Sequence, residues 1–277
     1  MADLDVIWAG INLHDYMKIE ELTGWDDLPD ITSYDQSRSR GHGDHVGDQF
    51  ARSRIVTASG SILSSAARDA LALALMGVSP VSSTVTNLAA TTFGRTLSTG
   101  ARLIARSLPV KEDYAAGVVP VALQWRCPDP LRYGPSQTAG PIGLPTSGGG
   151  IVYPLTYGIT YGTQGVVGHL TLTNPGTADT SVVFTVTGSL PSGFSITSSD
   201  GQLLTYPEPL AAGEVLTLDT ATGFVLLGGT SDRRSNLTNA DWMQVPAGGS
   251  LTVSFASLGG TYDPAATLTA TTRPAYW

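Results

Sequence analysis

The chain divides at Trp125-Arg126-Cys127-Pro128-Asp129-Pro130-Leu131-Arg132-Tyr133-Gly134, near its midpoint. The apolar stretch 118–125 that precedes the two prolines has the composition of a β-strand. Proline has no backbone N–H and pushes the residue before it toward an extended conformation. The sheet ladder should therefore end near Cys127 and continue as a stiff connector between two different domains. The predicted hinge residues are Pro128, Asp129, Pro130 and Arg132, with Asp129 and Arg132 anchoring the turn.

The composition indicates a β-rich protein with many tight turns. Hydrophobic residues make up 42% of the 277 residues, and charged residues only 14%, against about 25% in an average soluble domain. The 32 glycines and 17 prolines supply turn residues in quantity. The net charge is −8 and the basic residues are scattered, whereas a phosphate-binding face needs clustered Lys and Arg. Specific nucleic-acid binding is therefore disfavoured.

The pattern of apolar residues argues against a membrane protein. Residues 1–5 are acidic, and the longest apolar runs, such as 70–76, are far shorter than the roughly 20 residues that span a bilayer. We expect no signal peptide, no membrane insertion and synthesis in a cytoplasm. The single cysteine, Cys127, excludes an internal disulfide and is expected to pack as a small buried hydrophobe.

Residues 1–137 are predicted to form an N-terminal domain, a β-sandwich or split barrel with one helix. The helix is expected at 65–76, where Ala and Leu dominate, a serine can cap the start and Gly77 with Pro80 ends it. Short apolar runs at 4–13 and 17–23 indicate a hairpin. Further strands are expected at 52–60, 81–88, 101–108 and 118–125.

The second half has a different pattern. Residues 138–150 are rich in Gly and Pro, which is typical of a linker. From residue 151 onward, short β-branched runs alternate with turn residues and no helix intervenes. Such spacing favours an antiparallel β-sandwich. The predicted organisation is therefore a domain at 1–137, a linker at 138–150 and a second domain at 151–277.

The polar stretch 25–48 is predicted to be a long loop, and loops of this length are usually functional or form interfaces. Two histidines and two carboxylates near its end would allow a metal-binding interpretation, but their spacing matches no established metal motif. We therefore predict no metal site and favour a loop that contacts a neighbouring subunit or solvent. Its candidate interface residues are Arg38, Arg40, His42, His45 and Asp48.

Catalytic patterns are missing from the sequence. It contains no nucleophile elbow, phosphate-binding loop or zinc-protease motif. Adjacent carboxylates such as Glu20/Glu21 and Asp26/Asp27 rarely converge on one substrate bond. We predict no catalytic residues, no cofactor and no enzymatic activity. Aromatic residues of the second domain serve equally as core, interface or sugar contacts, and Trp242 and Tyr262 are the candidate carbohydrate contacts.

Several stretches together resemble the distal tail proteins of phages with long, flexible, non-contractile tails. Asp129-Pro130-Leu131-Arg132-Tyr133 is similar to the Asp-Pro-x-Arg-Tyr element that ends the first domain of that family. The likeness covers nearly the whole chain and rests on the order and spacing of its motifs. The Ala-, Gly- and Thr-rich composition also resembles proteins of phages that infect actinobacteria. The other matching stretches are 43–47, 174–177, 185–188, 212–220, 246–255 and 273–277.

The resemblance implies a structural protein of a siphovirus tail tip, assembled in the host cytoplasm. Its N-terminal domain would form a homo-hexameric ring between the tail tube protein and the tail-associated hub protein, beside other tail-tip proteins. Its C-terminal domain would be a peripheral, galectin-like antiparallel β-sandwich. An alternative from a different class is a tail-tip module that binds host cell-wall polysaccharide through residues 151–277.

Overall fold

The protein is mainly β and contains two compact units. The computed structural model describes residues 4–64, 66–145, 168–259, 263 and 265–277. Strands account for 51% and helical turns for 8% of the structure, with one α-helix among the described residues. The predicted fold class is therefore confirmed. The first unit comprises Met1–Gly134 with Tyr276–Trp277, and the second comprises Pro135–Ala275.

The described residues of the first unit form eleven strands and one helix before Pro128, and a twelfth strand after Pro130. They are β1 (Asp5–Trp8), β2 (Ile11–Asn12), β3 (Lys18–Thr23), β4 (Ile31–Ser33), β5 (Gln36–Ser37), β6 (Asp44–His45), β7 (Gln49–Ala51), β8 (Arg54–Leu63), α1 (Arg68–Val78), β9 (Thr86–Thr92), β10 (Arg95–Ser107), β11 (Val118–Cys127) and β12 (Arg132–Tyr133).

Antiparallel pairing arranges the main sheet of this unit in the order β2-β1-β9-β10-β11-β8-β3. Side chains of β8 and β11 alternate between the buried face and the outer face, as the period of two requires. The predicted hairpin between 4–13 and 17–23 is wrong, because β1 pairs with β2 and β9 whereas β3 pairs with β8. β11 ends at Cys127, which confirms the predicted end of the ladder.

The helix lies slightly later than predicted. Helix α1 begins at Arg68, and the Ser64 hydroxyl accepts a hydrogen bond from the Ala67 N–H at 3.0 Å. The helix ends at Val78, two residues before Pro80, so Gly77 lies inside its last turn. Arg106 donates to the carbonyls of Met76 and Ser79 at 3.0 and 2.9 Å. No helix in the described ranges is long and apolar enough to cross a membrane.

The described residues of the second unit form two antiparallel sheets. One has the order β13-β24-β15-β18-β19-β20 with β22 beside β15, and the other has the order β14-β23-β16-β17-β21. The strands are β13 (Gln137–Gly143), β14 (His169–Thr173), β15 (Thr180–Thr187), β16 (Phe194–Ser198), β17 (Leu203–Tyr206), β18 (Val215–Asp219), β19 (Phe224–Leu227), β20 (Ser231–Asp232), β21 (Asn239–Ala240), β22 (Gln244–Val245), β23 (Ser250–Ser257) and β24 (Thr267–Thr272). A final short strand, β25 (Ala275–Tyr276), pairs with β12.

A single apolar core of the second unit contains side chains from both sheets. Phe194 is fully buried in this core, and its ring centroid lies 5.7 Å from that of Tyr206 and 5.9 Å from that of Phe255. Aromatic pairs at these distances add to the stability gained from buried area alone.

The first part of the predicted linker is a strand. β13 pairs with β24 on both sides of a register shift between Ala139 and Ile142. Gly140 occupies this bulge with φ +96°, and a Cβ there would lie 2.8 Å from the Leu268 carbonyl oxygen. The Gly-Pro composition therefore marks a bulge within a strand rather than a flexible connector. Residues 146–150 of the predicted linker lie outside the described ranges.

Candidate functional site

The polar stretch predicted to be a long loop forms a β-hairpin, which we call the arm (residues 31–51). Its base is the β4–β7 ladder, with Ile31 opposite Ala51, and its outer part is the β5–β6 ladder. The two ladders meet at Gly47, where a Cβ would lie 2.2 Å from the Tyr34 carbonyl oxygen. The sequence offered little strand signal here, because the paired segments are only two or three residues long.

Asp35 holds the junction between the two ladders. Its carboxylate accepts hydrogen bonds from the Ser33 hydroxyl at 2.5 Å and from the Gly47 N–H at 2.8 Å. Both bonds stabilise the charged form of Asp35 and therefore lower its pKa. The bond from Ser33 has the larger effect and the bond from Gly47 the smaller. The ionised Asp35 side chain thus supplies hydrogen bonds where the β4–β7 ladder ends and the β5–β6 ladder has not yet begun.

All five predicted interface residues lie on the arm and are exposed. Arg38, Arg40 and His42 lie in the turn between β5 and β6, where the Arg38 N–H donates to the Gly43 carbonyl. His45 lies in β6 and Asp48 just before β7. In the described part of the chain, no group of three or more His, Cys, Asp or Glu side chains could hold a metal ion.

The arm also exposes apolar side chains that sequence reasoning did not single out. Val46 is 91% exposed and Phe50 59% exposed, and the Phe50 ring contacts Tyr34 edge-to-face with centroids 6.1 Å apart. Exposed apolar groups concentrated in one place are typical of protein contact sites. At the base of the arm, two other exposed apolar residues, Leu28 and Ile31, border a groove of about 270 Å³, which we call the arm groove. It is lined by Leu28, Pro29, Ile31, Gln49, Ala51 and Trp277.

A buried arginine anchors the segment that leads into the arm. Arg54, on β8, is only 1% exposed and donates to the carbonyls of Gly24 and Trp25 at 2.9 and 3.0 Å, and also to that of Asp27. Its Nε donates to the Pro130 carbonyl at 2.9 Å. Burial, and then the nearby charge of Arg132, lower the pKa of Arg54. One side chain therefore joins the segment before the arm to the predicted hinge.

The second hinge contact differs from the prediction. Asp129 accepts hydrogen bonds from the Leu131 N–H at 2.9 Å and the Tyr133 hydroxyl at 2.7 Å, and so anchors the turn by itself. Arg132, which is 5% exposed, instead forms an ion pair with Asp26 and donates to the Trp277 carbonyl. In the sequence, Asp26 is notable only as half of the adjacent carboxylate pair Asp26/Asp27. No local signal identifies Arg132, 106 residues away, as its partner.

The other singled-out side chains do not form a site in the described residues. Cys127 is buried, and burial raises the pKa of its thiol to about 11, which keeps it neutral. Trp242 packs partly buried against the core of the second unit, and the Arg234 guanidinium lies 5.6 Å from its ring centroid. Tyr262 lies outside the described residues.

Comparison with known proteins identifies the fold. No protein-family model matches the chain, and no curated protein does so either. The chain is similar over 99% of its length to all of a solved structure described as "SPP1 Dit (gp 19.1) Protein, a Paradigm of Hub Adsorption Apparatus in Gram-positive Infecting Phages", with 14% identity and a TM-score of 0.71.

Two further structures share the fold less closely. Both describe the phage P2 baseplate in its activated conformation, one with Ca and one with Sr. Both matches have 9% sequence identity and cover 97% of this chain. The first covers 98% of the other chain with a TM-score of 0.54, and the second covers 97% of the other chain with a TM-score of 0.52. The chain therefore has the fold of phage Dit and baseplate proteins through both of its units.

Proposed function

We propose that this chain is a distal tail protein that forms a hexameric ring joining the tail tube to the tail-tip hub of a siphovirus. The observation that carries the proposal is the match of the complete chain, both units together, to a phage hub protein. An isolated sandwich would be shared by many unrelated functions, but this two-unit architecture is far more specific. The composition supports a phage of actinobacteria as the source.

The arm supports an assembly function. It presents exposed apolar and charged groups on a hairpin whose junction is held by Asp35 and whose preceding segment is held by Arg54. A rigidly anchored hairpin loses little conformational entropy on binding, which favours a permanent contact between subunits. We assign Arg38, Arg40, His42, His45 and Asp48 to this contact.

The remaining parts of the proposal follow from a structural role. The protein would lie in the virion at the tail tip after assembly in the host cytoplasm, without enzymatic activity. Its neighbours would be the tail tube protein, the hub protein and other tail-tip proteins. We do not extend the proposal to polysaccharide binding, because Arg234 lies over the Trp242 ring and Tyr262 is outside the described residues.

Electron microscopy and native mass spectrometry of the purified full-length protein test this function. The expected result is a closed ring with the mass of six subunits. The tail tube protein and the hub protein should each bind to one of its faces. A protein that stays monomeric at all concentrations, both alone and with these partners, would contradict the proposal.

A further inference from the structure

Two buried arginines of the first unit lie against the same two segments. Arg54, 1% exposed, donates to backbone carbonyls at 24–27 and to that of Pro130. Arg132, 5% exposed, follows Pro130 by two residues and pairs with Asp26. Both guanidinium groups therefore contact the segment before the arm or the hinge, and they are close enough to repel each other.

Two buried tryptophans lie beside these arginines, and we call the four side chains together the donor cluster (Trp25, Arg54, Trp125 and Arg132). The Trp25 carbonyl accepts a hydrogen bond from Arg54 at 3.0 Å, and the Trp25 ring centroid lies 5.8 Å from the Arg132 guanidinium. Cys127 of β11 pairs with Arg54 of β8, and Trp125 precedes Cys127 by two residues on the same buried face. Trp125 and Arg54 are therefore diagonal neighbours on one face of the sheet.

Each side chain of the donor cluster carries a buried N–H group without a hydrogen-bond partner. These groups are Nη2 of Arg54, Nε of Arg132 and Nε1 of both tryptophans. They are four of the six buried side-chain polar atoms that lack a partner in the described part of the chain. Native proteins rarely leave a buried donor unpaired, because its desolvation is then not compensated. Four such donors in one cluster therefore point to a bound ligand.

The unpaired groups are all donors, which restricts the chemistry of that ligand. Guanidinium and indole groups contain no acceptor, so they cannot satisfy one another. The neighbouring carboxylates are engaged, since Asp26 accepts from Nη1 of Arg132 and Asp129 accepts within its own turn. Asp27 accepts from the Gly24 N–H at 2.8 Å. A water molecule would bring two donors of its own, whereas an anion only accepts and also reduces the repulsion between the arginines.

We propose that the donor cluster binds one small monovalent anion, chloride in a physiological buffer, through the unpaired N–H groups of its four side chains. All four side chains are more than nine-tenths buried, so the site suits a single small ion and excludes larger anions such as phosphate esters. The ion would strengthen the link that Arg54 makes between the hinge and the segment before the arm. This inference goes beyond the assembly function and does not depend on the ring.

Bromide provides a direct test, because it replaces chloride and scatters X-rays anomalously. Crystals of the full-length protein grown in sodium bromide should show an anomalous peak in contact with both Arg54 and Arg132. A light atom with no anomalous signal at that position would identify the ligand as water and would overturn the proposal.

The dependence of stability on chloride tests the site in solution. Sodium gluconate, whose anion is too large for the site, replaces sodium chloride at constant ionic strength, so that screening stays the same. Urea unfolding followed by tryptophan fluorescence should then show a midpoint that rises by about 0.7 M for each tenfold increase in chloride above its dissociation constant. A tenfold change in ligand is worth about 1.4 kcal/mol, and the denaturant slope is about 2 kcal/mol per molar urea.

Trp25→Phe assigns the chloride response to the donor cluster, because it removes one donor and retains an aromatic ring. Loss of one hydrogen bond to a charged ligand should raise the dissociation constant for chloride about tenfold to a hundredfold. The matched control is Trp8→Phe, the same replacement at a buried position of the same core but outside the donor cluster. Its chloride dissociation constant should equal that of the wild type.

Three outcomes would overturn the proposed site. Equal urea midpoints in chloride and gluconate would exclude a stabilising anion. A bromide peak at the cluster without any dependence of stability on chloride would mean an adventitious ion only. A chloride response that Trp25→Phe leaves unchanged would place the ion elsewhere. None of these outcomes affects the proposed ring, which the mass of the assembly tests separately.

Discussion

Arg54→Met tests whether the buried guanidinium organises the base of the arm. The wild-type side chain donates to four backbone carbonyls, those of Gly24, Trp25, Asp27 and Pro130. Methionine retains much of the side-chain volume but has no donor, so all four acceptors lose their partner. The segment before the arm and the hinge would then no longer share a common side chain.

The size of the effect follows from the burial of each acceptor. The bond to the Trp25 carbonyl is fully buried, and an unpaired buried acceptor costs about 1–3 kcal/mol. The other three bonds are partly buried, so water compensates part of their loss. Removal of the cation also removes its desolvation cost and its repulsion from Arg132, which offsets part of the penalty. We expect the free energy of unfolding to fall by about 3 kcal/mol.

Tryptophan fluorescence during urea unfolding measures this change. Of the five tryptophans, only Trp242 lies in the second unit, so the signal reports mainly on the first. With a slope of about 2 kcal/mol per molar urea, the midpoint should fall by roughly 1.5 M. Arg126→Met, an exposed position of the adjacent strand, is the control and should change stability by less than about 0.5 kcal/mol. A shift for Arg54→Met no larger than that of the control would refute the reasoning.

Three further predictions concern single residues. The buried Cys127 thiol, with its pKa raised to about 11, should not react with a thiol reagent at pH 8 until the protein is unfolded; complete reaction of the native protein within minutes would contradict its burial. The pKa of Asp35 is lowered on folding, so its stabilisation of the arm is present above the ordinary value of 3.8 and is lost as pH falls through the folded value. The Gly47 amide NMR signal should report this titration, and Asp35→Asn should abolish it. Gly24→Ala should destabilise the first unit by about 3 kcal/mol or more in the urea assay, because the added Cβ would lie 1.9 Å from the Ile55 carbonyl oxygen. The control is Gly10→Ala, which has a similar φ but open space around it and should cost only about 1 kcal/mol.

Sequence reasoning succeeded where the determining interaction is local. The end of the ladder at Cys127 follows from the missing N–H of Pro128, and the helix follows from its Ala-Leu composition. Its N-cap is Ala67, without a side-chain hydrogen bond, rather than the predicted serine. Its end lies at Val78, later than predicted, beside the contacts that Arg106 of a distant strand makes with the carbonyls of Met76 and Ser79.

Errors arose where distant segments decide the structure. The apolar runs at 4–13 and 17–23 correctly predict the strands β1 and β3. The predicted hairpin pairs these two strands with each other because they are close in sequence, whereas β1 pairs with β9 and β3 pairs with β8. The composition around Gly140 is that of a linker, yet β24 supplies a ladder to which it pairs across a bulge. Composition cannot distinguish these cases, because the partner strand is distant in the sequence, from 34 residues between Thr23 and Thr57 to 135 residues between Gln137 and Thr272.

The end of the β11 ladder before Pro128 and the mainly β fold were accessible from the sequence alone, since they depend on backbone preferences and local periodicity. The interface in the polar stretch stays a prediction. Tertiary structure alone revealed that the polar stretch is an arm, that Arg54 and Arg132 hold the segment before it, and that Glu20 and Glu21 both accept hydrogen bonds from serines of β8. These features depend on contacts between segments separated by 27 to 106 residues, as between Arg54 and Asp27 or Arg132 and Asp26. Only folding brings such segments together, because a buried cation or a bulged edge strand acquires its role from the groups packed around it.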